Sequence, residues 1–292
     1  MSKQAYINYN PKGKMQGLIE KANEIIAEYE AQGFTLTVRQ VYYQFVSRDL
    51  VPNSLQSYNL VDRVLNKGRM GGLIDWWAIE DRTRRTYGNS HWDNPKQILD
   101  SCARSFRLDT RAGQPITVEV WIEKEALLGV VAPTCQELDV TYLPCKGYYS
   151  ISAMWRAAQR LKYDNNVVVL HLGDHDPSGL DMTRDIRDRL TLFGCDNLKV
   201  KRIALTMAQV EELKPPPNFA KMSDSRYADY AEEYGDQSWE LDALKPEYIA
   251  NLIKKHVDEL TDWALVESQK TLQEKYREKL QEVADDSDNW EV

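Results

Sequence analysis

Three carboxylates and one phenol carry the most chemistry in this sequence. Asp174 and Asp176 stand two apart at the end of the apolar run Val167-Val168-Val169-Leu170, with Pro177 and Gly179 turning the chain directly after them. The run is mostly β-branched and has no helical period, so it reads as a buried strand, and both acids project from its tip. Two neighbouring acids repel unless a cation lies between them, and hard oxygen donors suit Mg²⁺ better than zinc. Asp-x-Asp at a strand end also occurs as ordinary turn and helix-cap chemistry. A second acidic element strengthens the metal reading: Ile116 to Ile122 reads as another strand ending at Glu123, with Glu125 as a competing candidate.

The phenol is Tyr43. Thr37-Val38-Arg39-Gln40 has a capping-box pattern that opens a helix through about Arg48. On that helix Val38, Val41, Tyr42 and Phe45 form one apolar stripe. Tyr43 lies about 100° from Tyr42, so it is expected to leave the core in company with Arg39 and Gln40. A phenol beside an arginine suits nucleic-acid contact or attack on a phosphodiester, and the second needs activation. An ordinary amphipathic surface tyrosine has the same spacing.

The elements that must position these groups follow a simple order. Residues 14–32 have the period of a packing helix ended by Gly33, and the capped helix follows. Ser54 or Asn53 caps a third helix that carries Arg63, Lys67 and Arg69 toward its end. Residues 73–85 read as an aromatic hairpin or wing with Arg82, Arg84 and Arg85. Helix, helix, turn, helix, wing is the winged-helix order, with the basic cluster facing phosphates. From residue 115 the pattern is strand, Glu123, helix, short strand at 142–144, Gly147 turn, helix, strand, Asp174-x-Asp176. That βαβαβ arrangement brings the strand ends to one edge of a parallel sheet. A further strand at 199–205, the linker Lys214-Pro215-Pro216-Pro217-Asn218, a loop followed by a short helix start over 219–244 and a long helix at 247–284, broken near Asp262-Trp263, complete the chain. Glu240 and Asp242 are expected to cap and solvate, with a place behind the metal edge as the alternative.

Two stretches carry a resemblance. Glu123 after a strand, followed by Asp174-x-Asp176-Pro177-x-Gly179 after a later one, resembles the Toprim metal-binding domain. Thr37-Val38-Arg39-Gln40-Val41-Tyr42-Tyr43 is similar to the winged-helix segment of the type IIB topoisomerase (topoisomerase VI) A subunit and its meiotic double-strand-break relatives. The resemblance implies an α/β chain with a winged-helix domain at 1–90, a connector at 91–114, and a Toprim domain with C-terminal helices at 115–292. It also implies Tyr43 as nucleophile, Arg39 beside it, and Mg²⁺ on Glu123, Asp174 and Asp176. Double-stranded DNA is the implied substrate, and a homodimer follows if tyrosine and metal come from different copies. The chain is shorter than usual for that family and shows no ATPase half, so an ATPase would be a separate subunit and strand passage by this chain alone is not expected. Three rivals remain: a Toprim nuclease using metal-activated water, a non-catalytic winged-helix DNA-binding protein and, more distantly, RNA as the substrate.

Composition sets outer limits. The 292 residues, 42% hydrophobic and 28% charged, describe a globular chain of two ordinary domains. No apolar run approaches the roughly 20 residues of a membrane span. The N-terminus lacks a secretory h-region, so a cytoplasmic protein is expected. The four cysteines and four histidines are dispersed, which argues against zinc and disulfides. Net charge is −8, but residues 1–115 carry 16 Lys or Arg against 12 Asp or Glu, so they are net +4 and the remainder −12. A basic half joined to an acidic one is compatible with a DNA enzyme.

Overall fold

In the computed structural model, residues 3–80, 89–145 and 147–290 are described. Arg82, Arg84 and Arg85 lie outside the described residues. Three helices open the chain: α1 (Lys14–Glu30), α2 (Val38–Ser47) and α3 (Leu55–Met70). The α2 cap is a full capping box, with Thr37 accepting from the Gln40 N–H and the Gln40 side chain accepting from the Thr37 N–H. Leu18, Ile25, Val41, Phe45, Val64 and Leu65 meet in the shared core. The expected hairpin is not formed over 73–80. Asp75 caps a single 3₁₀ turn, Trp76–Ala78, because its carboxylate accepts from the Trp77 N–H, and Ile79 makes one isolated bridge to Leu36. Helix α4 (Pro95–Ser105) follows.

Four parallel strands form the second layer: β1 (Thr117–Ile122), β2 (Thr141–Pro144), β3 (Val167–Leu172) and β4 (Leu198–Ala204), in the order β2-β1-β3-β4. The strand period of two sorts their side chains. Val118, Val120, Ile122, Val168, Leu170 and Leu172 face a core shared with α5 (Leu128–Glu137). Trp121, Val167 and Val169 face the other way, against α6 (Ile151–Leu161) and α7 (Pro177–Leu192). Glu119 shares that second face at 2% exposure, where Arg160 pairs with both of its oxygens at 2.8 Å and the Trp121 indole donates to it. Burial on both faces explains why β3 opens with the continuous apolar run Val167–Leu170.

After β4 come α8 (Met207–Leu213), a ribbon of β5 (Asn218–Phe219) and β6 (Gln237–Ser238), and α9 (Tyr227–Tyr234) between its strands. Helix α9 falls where a loop was expected, although Tyr227, Tyr230, Ala231 and Tyr234 stand at helical spacing; the segment is only eight residues long and has no side-chain cap. The expected C-terminal helix is two helices, α10 (Pro246–Asp258) and α11 (Trp263–Asp286), with Asp262 capping the second. Helix α10 covers the β-sheet beside α5, whereas α11 packs along α4 of the connector. The 3₁₀ turn Leu241–Ala243 joins the two halves, placing Leu241 in the core of the sheet and Ala243 in the core of the N-terminal helices.

Candidate functional site at the sheet edge

The β1–β3 register pairs Ile122 with Leu172, so Glu123 and Gly173 leave the sheet side by side. Glu123 Oε2 accepts the Asp174 N–H at 2.8 Å. Of the two candidate glutamates, Glu123 therefore meets the Asp-x-Asp loop, while Glu125 begins the 3₁₀ turn Glu125–Leu127. A Cβ at Gly173 would stand 2.9 Å from Glu123 Oε2, and one at Gly179 only 2.2 Å from the Asp174 carbonyl oxygen. Gly179 is required by this close approach of backbone, whereas at Gly173 the end of the Glu123 side chain would have to shift.

Arg202 holds this loop from beneath. Its guanidinium donates to the carbonyls of Gly173, Asp174, Gly179 and Leu205. Burial pushes its pKa down to about 10, but it remains a cation at neutral pH. From the other side, His175 exchanges two backbone hydrogen bonds with Trp239. The His175 ring is enclosed by Tyr230, Tyr234 and Trp239, and burial lowers its pKa to about 4, so it is neutral.

That pairing delivers Glu240 and Asp242 to the sheet edge beside the Asp-x-Asp loop, where solvated caps were expected. Lys124 Nζ lies 2.9 Å from Asp174, 2.6 Å from Glu240 and 2.8 Å from Asp242. Arg39 of α2 pairs with Asp242 at 2.9 Å and also with Glu240. Lys124 and Arg39 hold the Glu240 carboxyl down at about 2 against the opposing effect of burial. Asp174 differs: burial is its largest influence, and with Glu123 and Asp242 nearby its carboxyl is pushed up to about 7 despite Lys124. Burial and Asp176 likewise raise Glu123.

Tyr43 corrects an expectation. It is 3% exposed and packs among the N-terminal core residues instead of leaving that core. The helical spacing was sound, but Gln40 and Gln44 are buried too, because the 241–243 turn covers the second face of α2. The Tyr43 ring lies 5.8 Å from the Arg39 guanidinium, and Arg39, Asp242 and Glu240 are the charged groups around it. Burial, then the two acids Asp242 and Glu240, raise the phenol's pKa well above its usual value. Arg39, Tyr43, Lys124, Asp174, Asp176 and Glu240 nevertheless line one cleft of about 670 Å³ within a single chain. A second copy is not needed to bring the phenol and the acids to the same cleft.

Among the described residues no three His, Cys, Asp or Glu side chains form a ready metal cluster. Asp174 is committed: one oxygen accepts the Leu241 N–H at 2.8 Å and the other faces Lys124. Asp176 caps α7 through Oδ1, which accepts the Gly179 N–H at 2.6 Å, so the cap reading is realised with the second oxygen left over. Glu123 also has one oxygen without a protein partner among the described residues. Mg²⁺ commonly uses one or two carboxylates and completes its octahedron with water and substrate phosphate. The spare oxygens of Glu123 and Asp176 suit that donor type, and Glu123 is raised first by burial and then by Asp176.

The candidate phosphate contacts on α3 are unequal. Arg63 and Lys67 are exposed, with Lys67 over the Tyr9 ring, whereas Arg69 is half-buried over Trp76 and bonded to Asn66. Cys135, Cys145 and Cys195 are buried and Cys102 is exposed, all as free thiols. No helix among the described residues is long and apolar enough to cross a membrane. No protein-family model matches the chain, and no curated protein matches it significantly.

Two outcomes follow from this geometry. Lys124→Met leaves three carboxylates facing one another and is expected to destabilise the fold by about 3–5 kcal/mol, read from denaturant midpoints. In the native chain, folding binds extra protons at Asp174 and Glu123, so this contribution is full below about pH 4 and is lost as pH rises through about 7. Stability of Asp174→Asn should therefore fall less steeply between pH 5 and 8 than that of the native protein; parallel profiles would show that Asp174 ionises normally.

Proposed function

We propose that this chain cleaves phosphodiester bonds of DNA in the cleft between α2 and the sheet edge, with Mg²⁺ as cofactor and Tyr43 as the attacking group. The supporting observation is that Arg39 and Tyr43 line the same cleft as Asp174 and Asp176. The resemblance to the type IIB topoisomerase A subunit points to the same chemistry. Glu123 and Asp176 would hold the ion, which supplies Lewis-acid polarisation of a phosphoryl oxygen when bound. Asp174 keeps Lys124 and the 241–243 turn in place.

Tyr43 Oη forms the new bond to phosphorus while the bond from phosphorus to the departing deoxyribose oxygen breaks. Glu240, one of the acids around the phenol, would accept its proton, and the departing deoxyribose oxygen would take up a proton from solvent. Arg39, 5.8 Å from the ring centre, stabilises negative charge on the attacking and phosphoryl oxygens. The DNA-contact role extends to Arg63 and Lys67, and to Arg82, Arg84 and Arg85 through the resemblance. In this reading the site is complete within one chain; a homodimer would pair two cuts, and an ATPase subunit would be needed for strand passage.

A second reading, hydrolysis by a metal-activated water, is favoured by one observation: burial and the neighbouring acids hold the Tyr43 phenol in its protonated form. Trapping with denaturant during cleavage of supercoiled plasmid separates the two. The tyrosine route gives Mg²⁺-dependent nicks with protein covalently attached to DNA, and Tyr43→Phe lowers cleavage by on the order of a thousandfold. Nicking that survives Tyr43→Phe without an adduct supports the hydrolytic route. DNA binding without nicking under any metal condition supports a non-catalytic protein.

Metal binding has its own readout. Mg²⁺ at about 100 times its Kd should stabilise the native fold by about 2.7 kcal/mol in thermal or denaturant unfolding. Asp176→Asn should remove most of that increment, and an undiminished increment would place the ion elsewhere.

A further inference from the structure

The mouth of the cleft carries an apolar display that neither the metal nor the tyrosine uses. Phe219 is 89% exposed and Leu55 76% exposed, and both line the cleft with Tyr58. Phe219 does not hang from a loose loop. It pairs with Gln237 in the β5–β6 ribbon, and Ala220 N–H donates to Asp236. The preceding Asn218 is pinned across the cleft mouth, accepting from Asn53 Nδ2 at 2.6 Å and donating to Glu240 at 3.2 Å. Tyr42 donates to Asn53 in turn. An ordered ribbon thus holds a large aromatic ring out in water, at the lip of a site whose floor holds Asp174, Asp176 and Lys124.

We propose that Phe219 is a stacking platform for an unpaired nucleobase, so that the strand reaching the cleft is single-stranded or locally unpaired DNA. This rests on the nucleic-acid reading given above and narrows its substrate class. Cleft size supports it: about 670 Å³ lies within the roughly 300–1,000 Å³ range of small-ligand pockets, which admits a nucleotide and not the width of a duplex. Chemistry supports it as well. Every base offers a π-face to an exposed ring, while Lys221, exposed at the same lip, suits the adjoining phosphate.

The test is equilibrium binding of a fluorescent oligo-dT and of a duplex of equal length, without divalent metal, by native protein, Phe219→Ala and Phe219→Trp. Because the side chain is almost fully exposed, neither substitution endangers folding. Loss of one stacked base weakens single-strand binding of Phe219→Ala by roughly 5- to 150-fold and leaves duplex binding within about twofold. Phe219→Trp retains affinity, and its added tryptophan emission is quenched by the oligonucleotide. Equal single-strand affinity of native and Phe219→Ala protein overturns the platform, as does a native protein that binds no single strand. Plasmid nicking run in parallel keeps the readings apart: weakened binding without any nicking upholds the platform and sinks only the catalytic reading, whereas nicking with unchanged binding does the reverse.

Discussion

The buried ion cluster of Lys124 with Asp174, Glu240 and Asp242, extended to Arg39, is the constraint on which the rest of the molecule depends. Each ion removed from water costs several kcal/mol, and mutual attraction offsets this only when every charge is well placed. Two cations against three acids, at 2.6–2.9 Å from Lys124, leave little tolerance for displacement. The cluster therefore fixes where the 239–243 segment runs, and that segment fixes the rest. Trp239 pairs with the Asp-x-Asp loop, Leu241 donates to Asp174, and Ala243 enters the core of the N-terminal helices. The covered second face of α2 is a consequence, and so is the burial of Tyr43.

Much of the frame was legible because it rests on local rules. The Thr37 capping box, the Ser54 cap, the β-branched run of β3 and the Asp262 break are written in short patterns and appear within a residue or two of expectation. The site was half legible. Glu123 and the Asp-x-Asp loop meet because the parallel register aligns Ile122 with Leu172, which alternating elements imply. What failed depended on contacts distant in sequence. Tyr43 reads as leaving the core because no pattern in α2 reveals that a turn some two hundred positions later covers it. Glu240 and Asp242 read as solvated for the same reason, since their partners Lys124 and Arg39 are supplied by other elements.

Arg202 did leave a signal. It continues the parity of Leu198 and Val200, both packed on the core of α6 and α7, so a charge at that strand position needs a buried partner set. The carbonyls of the Asp-x-Asp turn are that set. Lys124, directly after Glu123, shares the parity of Val120 and Ile122 and is explained the same way. Charged residues on the apolar parity of a strand, at the end where sites collect, are the pattern that would have found both.

The central claim is that phenol and acids form one site within one chain, whereas the resemblance implies a site shared between copies. Mixing Tyr43→Phe protein with Asp176→Asn protein in a Mg²⁺-dependent plasmid-nicking assay tests this most directly. A single-chain site predicts that the mixture stays as inactive as each variant alone while the native chain nicks. Recovery of nicking in the mixture would contradict it, because intact Tyr43 and intact Asp176 would then be meeting across two chains.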